Sequence, residues 1–174
     1  MAVELVSFDE CKGLLGLVKN QSDYPDLHII RESVVASIEA YTRRRFSCKH
    51  RQYNFFVMCP QKMIELAAIP LKTVAKVEVN GEAVGYKITC YGILLDKPIK
   101  EKNLVIDYVG GISEVTPQLK RAALLQTVYE YQNKENIGVT SISNDGGSVT
   151  IPELSLLKEV KQLLIDFIHP YPVF

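Results

Sequence analysis

A short basic run between positions 43 and 51 holds the residues of this chain best suited to binding chemistry. Its cations are Arg43, Arg44, Arg45, Lys49 and Arg51, and no acidic residue interrupts them. Guanidinium and ammonium groups at this density can pair with nucleic-acid phosphates or with an acidic face of a partner protein. The alternative is a solvated helix end, where the negative end of the helix dipole favours cations.

Residues that commonly hold metals or attack substrates lack a suitable spacing. The cysteines stand at 11, 48, 59 and 90 and the histidines at 28, 50 and 169. No cysteine pair has C-x-x-C spacing, and no histidine belongs to an H-x-x-x-H or H-x-E pair. We therefore expect four reduced and mostly packed thiols, no metal, no cofactor and no catalytic residue. A small hydrolase stays an open hypothesis that no residue supports.

The balance of charge and apolar residues narrows the class of protein. Twenty basic and twenty acidic residues give a net charge of zero, whereas a general nucleic-acid binder usually carries a basic excess. Because 47% of the 174 residues are hydrophobic, the chain can bury a substantial core. The first residues lack the basic segment and the apolar segment of a signal peptide. No apolar run approaches the roughly 20 residues that span a bilayer. We expect no signal peptide and no membrane partner.

Capping signals and apolar periodicity predict four helices. Ser7 and Glu10 form a capping box that starts the first helix near Phe8. Pro25 opens the second helix, which places the arginines at 43–45 in its last turn. The third runs from Pro117 to about residue 135, and a fourth follows position 152 and ends near 168.

Strand signals fill the interval between these helix pairs. Asn80-Gly81 is a strong hairpin signal, and residues 85–95 and 103–109 are expected to form another antiparallel pair. Residues 136–150 are expected to form a polar loop that is functional or mobile. We predict an α+β fold that is mainly a bundle of about four helices, with a small antiparallel β-sheet or hairpin inserted between the second and third helices. The expected single domain covers 1–174, with helices in 1–48, a β-rich insertion in 49–111, helices in 112–168 and a tail in 169–174.

The third helix carries apolar residues on two sides, which indicates more apolar surface than one copy buries. We expect an oligomer interface formed by Leu124, Leu125, Val128, Tyr129 and Tyr131. The tail is also apolar and aromatic, and its two interpretations are packing on its own domain and docking in a groove on a partner. The tail residues are Tyr171, Pro172, Val173 and Phe174.

Four sequence motifs, in this order, resemble those of one protein family. They are IEAYTRRRF at 38–46, LAAIPLKTV at 66–74, DYVGG at 107–111 with PQLK at 117–120, and YEYQNKE at 129–135. In this order they resemble the head–tail connector proteins, or adaptors, of long-tailed bacteriophages and prophages. The chain differs in having Lys134 where arginine is usual, Gly110-Gly111 in place of Ala-Gly, and an aromatic tail in place of a short basic end.

The resemblance implies a structural role without catalysis. It implies a homo-oligomeric ring of about a dozen copies beneath the portal protein, assembled in the host bacterial cytoplasm and located in the virion neck. DNA would pass through the ring without sequence specificity, and a stopper or tail-completion protein would bind below. The implied portal-docking segment is the tail from Tyr171 to Phe174. The alternative function is a nucleic-acid-binding module that uses the basic run from Arg43 to Arg51.

Overall fold

A computed structural model describes residues 4–18, 24–136, 141–144, 147–150 and 155–170. Within these ranges the chain forms four α-helices and nine β-strands. The helices are α1 Phe8–Leu15, α2 Pro25–Thr42, α3 Pro117–Gln132 and α4 Lys158–Leu164, with 3-10 turns at Lys134–Asn136 and Ile165–Phe167. The strands are β1 Lys49–Val57, β2 Gln61–Glu65, β3 Leu71–Val79, β4 Glu82–Ala83, β5 Tyr86–Ile88, β6 Gly92–Ile99, β7 Lys102–Gly110, β8 Ser141–Asn144 and β9 Gly147–Thr150.

The chain divides into two compact units. Of the described residues, the β unit contains Glu4, 41–115 and 167–170, and the helical unit contains those that lie within 5–40 and 116–166. The helical unit is therefore built from two stretches of sequence that the β unit separates. The single-domain organisation over 1–174 stays a prediction.

Two antiparallel sheets enclose the core of the β unit. One has the strand order β1-β7-β3-β4 and the other β2-β6-β5. In β7, buried Leu104, Ile106 and Tyr108 alternate with half-buried residues, as expected for a strand with one face toward a core. Ile64, Ile93 and Leu95 of the second sheet belong to the same buried cluster. At the Asn80-Gly81 turn both residues have positive φ, 51° and 85°, as a tight hairpin requires.

Three backbone segments meet at the end of β7, and we call this contact the three-segment junction (residues 44–47, 66–70 and 110–112). The N–H of Gly111 donates to the Pro70 carbonyl over 3.1 Å, and the N–H of Ile112 donates to the Phe46 carbonyl over 3.0 Å. A Cβ added at Gly110 would overlap the Ala68 carbonyl oxygen. Gly111 has a φ of +120°, which side-chain-bearing residues rarely adopt. Positions 110 and 111 therefore require glycine, because the neighbouring backbones leave no room for a side chain.

The prediction of a mainly helical bundle with one small hairpin is wrong. The nine described strands hold more residues than the four α-helices, and seven of the strands form two sheets with a core of their own. The alternation of apolar and polar residues gave too little strand, because two register shifts in β3 interrupt its period of two. The expected pairing of residues 85–95 with 103–109 is also wrong, since β6 pairs with β2 and β5 whereas β7 pairs with β1 and β3.

Two smaller predictions also need correction. The helix α2 ends at Thr42, and Arg43 has a φ of 55°, so the arginines follow the helix instead of forming its last turn. The expected polar loop at 136–150 contains the β8–β9 hairpin, with Ser141 opposite Thr150 and Asn144 opposite Gly147. Its polar composition concealed the alternation of Ser, Ile, Val and Thr that suits a strand.

We expect Gly110→Ala to destabilise the protein strongly, because the new methyl group would meet a backbone oxygen that cannot rotate away. The loss of unfolding free energy should be about 3 kcal/mol, at the upper end for an overpacked site. Gly13→Ala is the matched control, since a Cβ there meets nothing within 4 Å and alanine favours the helix by up to about 1 kcal/mol. Urea unfolding measures both, and equal effects would contradict the close contact.

We also expect Tyr108→Phe to alter stability only at high pH. Burial raises the pKa of Tyr108 to about 12 from 10.0, with a smaller contribution from Tyr53. Because the folded pKa is the higher one, the stabilisation is complete below about pH 10 and is lost as the pH rises toward 12. Over this range the wild type should lose up to about 2–3 kcal/mol relative to the variant. Urea unfolding at a series of pH values tests this, and parallel curves would refute it.

Candidate functional site

The predicted interface residues lie on the outward half of α3. Leu125 is 36% exposed, and the side chains of Leu124, Val128, Tyr129 and Tyr131 are half-buried. The buried side of the helix is a third one, formed by Leu119, Ala122, Ala123, Gln126 and Thr127. Two apolar flanks of α3 thus remain partly in contact with water. Burying them against another molecule would contribute roughly 25 cal/mol per Å² of apolar surface removed from water.

Two glutamines fix α3 against α4, and sequence analysis missed both. The side chain of Gln126 is fully buried; its Oε1 accepts from the N–H of Leu157 over 3.0 Å and its Nε2 donates to Glu130 Oε1 over 2.9 Å. At the other end, Gln118 Nε2 donates to the Leu163 carbonyl over 2.7 Å. Because Leu157 immediately precedes α4, Gln126 supplies the cap that Leu157 itself cannot provide. No local pattern marks such a glutamine, since its partner lies far along the chain.

The YEYQNKE motif forms the C-terminal end of α3 and ties it to α2. The side-chain amide of Asn133 donates to the Tyr129 carbonyl over 2.9 Å and so caps the helix. Lys134 Nζ lies 3.0 Å from Asp26 Oδ2 and 4.6 Å from the centre of the Tyr131 ring. The hydrogen bond with Asp26 is the main reason that the pKa of Lys134 is raised. Lys134 therefore has a structural role in the helical unit.

The helix α1 is joined to α3 by an ion pair. Its capping box is present, with the Ser7 side chain accepting from the Glu10 N–H and the Glu10 carboxylate accepting from the Ser7 N–H. The same carboxylate accepts from Lys120 Nζ over 2.6 Å, and this bond is the main reason that the pKa of Glu10 is lowered. The residue that starts α1 also holds it against α3.

The basic run does not present five equivalent cations. Arg44 Nη2 donates to the Ile69 carbonyl over 3.0 Å, and its guanidinium lies 5.6 Å from the Phe46 ring centre. Arg51 Nη2 donates to the carbonyl and the hydroxyl of Ser47. These two arginines therefore stabilise the three-segment junction and its neighbourhood. The exposed cations of the run are Arg43, Arg45 and Lys49. Contact of the run with DNA or a partner stays a prediction.

The chain approaches its tail through a buried residue. His169 is buried, its N–H donates to the Thr42 carbonyl over 2.8 Å, and its ring lies edge-on to Tyr91 with 5.4 Å between centres. Phe167 packs edge-on against Phe46. The predicted docking residues Tyr171, Pro172, Val173 and Phe174 lie outside the described residues, so their role stays a prediction.

Several kinds of site are absent from the ranges that the structure describes. In those ranges no group of three or more His, Cys, Asp or Glu side chains is placed to hold a metal ion. None of the helices there combines the length and apolarity needed to span a bilayer. None of the four cysteines forms a disulfide, and Cys59 and Cys90 are exposed, so the expectation of mostly packed thiols is too general.

Comparison with solved structures finds the same fold in phage-like particles. A chain from the "neck of empty GTA particle computed with C6 symmetry" superposes with a TM-score of 0.57 at 14% identity, covering 94% of both chains. A chain from the "virion of native gene transfer agent (GTA) particle" gives 0.56 at 14% identity, covering 84% of this chain and 79% of that one. A chain from the "neck of native GTA particle computed with C12 symmetry" gives 0.52 at 14% identity, again covering 94% of both.

No protein-family model matches the sequence, and no curated protein matches it. At 14% identity the structural likeness shows a shared fold. That fold extends over almost the whole chain, with its helices and its strands.

We expect Gln126→Leu to destabilise the junction of α3 and α4. The variant keeps the volume but leaves the partly buried N–H of Leu157 without its acceptor, which should cost about 1–3 kcal/mol. Urea unfolding gives the loss, and hydrogen exchange should show faster exchange around residues 155–160. Gln132→Leu, at an exposed position of the same helix, is the control. Equal stability of the two variants would show that the buried amide is not needed.

Proposed function

We propose that this protein is a structural component of a virion neck. Its support is one observation, the fold shared over 94% of both chains with a chain from the neck of a gene transfer agent particle. The motif order and the partly exposed apolar flanks of α3 agree with it. In this role the protein is a head–tail connector without catalytic activity, assembled in the host bacterial cytoplasm.

We further propose that the protein forms a ring of about a dozen copies beneath the portal. The similar necks were computed with C6 and C12 symmetry, which suits a ring of this size. A ring contact is heterologous, because each copy offers two different patches to its two neighbours. The outward side of α3, with Leu125 at its centre, is one such patch in this proposal.

In the ring, DNA would pass without sequence-specific binding. The net charge of zero suits a conduit, since dense basic contacts with phosphates would hold the DNA in place. Arg44 and Arg51 are hydrogen-bonded within their own chain, and Arg43, Arg45 and Lys49 are exposed. The portal would bind the tail from Tyr171 to Phe174, and a stopper or tail-completion protein would bind the opposite face.

Co-expression with the portal protein of the same phage or prophage tests the proposal. Native mass spectrometry and cryo-electron microscopy should find a closed ring of this protein on the portal. A monomer in isolation is compatible with the proposal, because assembly can require the portal as a template. Failure to bind the portal and to form a ring under all conditions would refute it.

Leu125→Asp should reduce ring formation at least tenfold while leaving the fold intact. The side chain is 36% exposed in one copy, so a carboxylate there stays hydrated until assembly buries it without a partner. Gln132→Asp places the same charge at an exposed position of α3 and should assemble normally. Circular dichroism confirms folding, and native mass spectrometry counts the rings. Normal assembly of Leu125→Asp would show that this side of α3 is not part of the ring interface.

A further inference from the structure

The strand β1 leaves one long edge of its sheet unpaired. It pairs with β7 through nine residue pairs without a register shift, and among the described strands none pairs with its other edge. The remaining terminal strands of the two large sheets are short, with five residues in β2, three in β5 and two in β4. Short strands are one way in which proteins protect sheet edges, and β1 has nine residues.

The edge of β1 also lacks other protective features. Its only lysine and arginine, Lys49 and Arg51, stand in the first third of the strand, and residues 52–57 carry no charge and no proline. At its C-terminal end Phe56 is 52% exposed and Met58 is 74% exposed. These two side chains and Cys59 line an apolar cleft of about 370 Å³. This end of β1 is therefore suited to receiving an extended segment.

A second element of the same chain also lacks a strand neighbour. The strands β8 and β9 have four residues each and pair with one another, and no other described strand joins their sheet. Their eight residues include no charge and no proline. A two-stranded hairpin is marginally stable in water by itself, so addition to a larger sheet would stabilise it.

We propose that the β8–β9 hairpin of one copy adds to the free edge of β1 in the next copy, which extends the four-stranded sheet across the subunit boundary. Backbone hydrogen bonds supply this contact, as in other cases of strand addition, and Phe56 and Met58 add apolar area at its end. The inference rests on the proposed ring.

A second copy is the occupant that the structure favours, because the free edge and the hairpin occur once each in every chain. In a closed ring each subunit then gives one hairpin and receives one, so every edge is paired. The contact is heterologous, as ring closure requires, and it leaves no unpaired β1 edge that could start aggregation.

Cross-linking with a short bismaleimide tests the contact in portal-bound rings. The parent carries Cys48→Ser, Cys59→Ser and Cys90→Ser and keeps the buried Cys11. Asn54→Cys, on the exposed side of β1, and Ser143→Cys, in β8, are then introduced together. We expect a ladder of covalent multimers on a denaturing gel. Mixing the two single variants should give covalent dimers only, and Lys97→Cys with Ser143→Cys, which uses an exposed position of β6, should give no ladder.

The outcomes separate this inference from the proposed function. Rings that form normally without a ladder, or with cross-links only inside single chains, overturn the hairpin contact and leave the ring intact. If the parent protein forms no ring, both the hairpin contact and the proposed ring are refuted.

As a second measurement, a glycine-serine linker of equal length replaces residues 141–150. Rings should then dissociate at least tenfold faster, and the amides of β1 should lose the protection from hydrogen exchange that assembly gives them. Unchanged dissociation would overturn the inference.

Discussion

The close approach of three backbone segments at Gly110 and Gly111 is the constraint on which the β unit depends. The end of β7 can reach the segment before β3 and the segment after α2 only because neither glycine carries a side chain. Backbone hydrogen bonds then satisfy groups that would otherwise be buried without partners. Arg44 adds a side-chain bond to Ile69, which explains why one arginine of the basic run is drawn inward. Three of the motifs that suggested a connector protein therefore meet at this one structural contact.

Polar side chains add specific contacts between the helices of the other unit. From α3, Gln118 and Gln126 bind the α4 segment and Lys120 binds α1, and Lys134 in the turn after α3 pairs with Asp26 of α2. This arrangement leaves several of the larger apolar residues of α3 on its outward side. A helix that uses its polar residues for its own unit and keeps apolar ones at the surface is well suited to packing against other copies.

Local signals in the sequence predicted local structure well. The capping box of Ser7 and Glu10, the Thr116-Pro117 helix start and the Asn80-Gly81 turn each depend on neighbouring residues, and each is present. Features that depend on distant residues were missed or wrong. The two sheets formed from non-adjacent strands, and register shifts in β3 disguised its period. Gln126 binds a partner 31 residues away, and no residue near it in the sequence indicates this contact. The positions of the apolar residues around α3 follow from helical periodicity, which is itself local.

The interrupted sequence of the helical unit has a consequence for its synthesis. The ribosome releases α1 and α2 first, then strands β1 to β7, and only afterwards α3 and the 3-10 turn after it, which supply Lys120 and Lys134 as partners of Glu10 and Asp26. Contacts of such high sequence separation form slowly. The ion pairs of Glu10 and Asp26 can form only after the intervening strands have been made. The helical unit is therefore completed late in synthesis, once α3 and α4 have followed the strands.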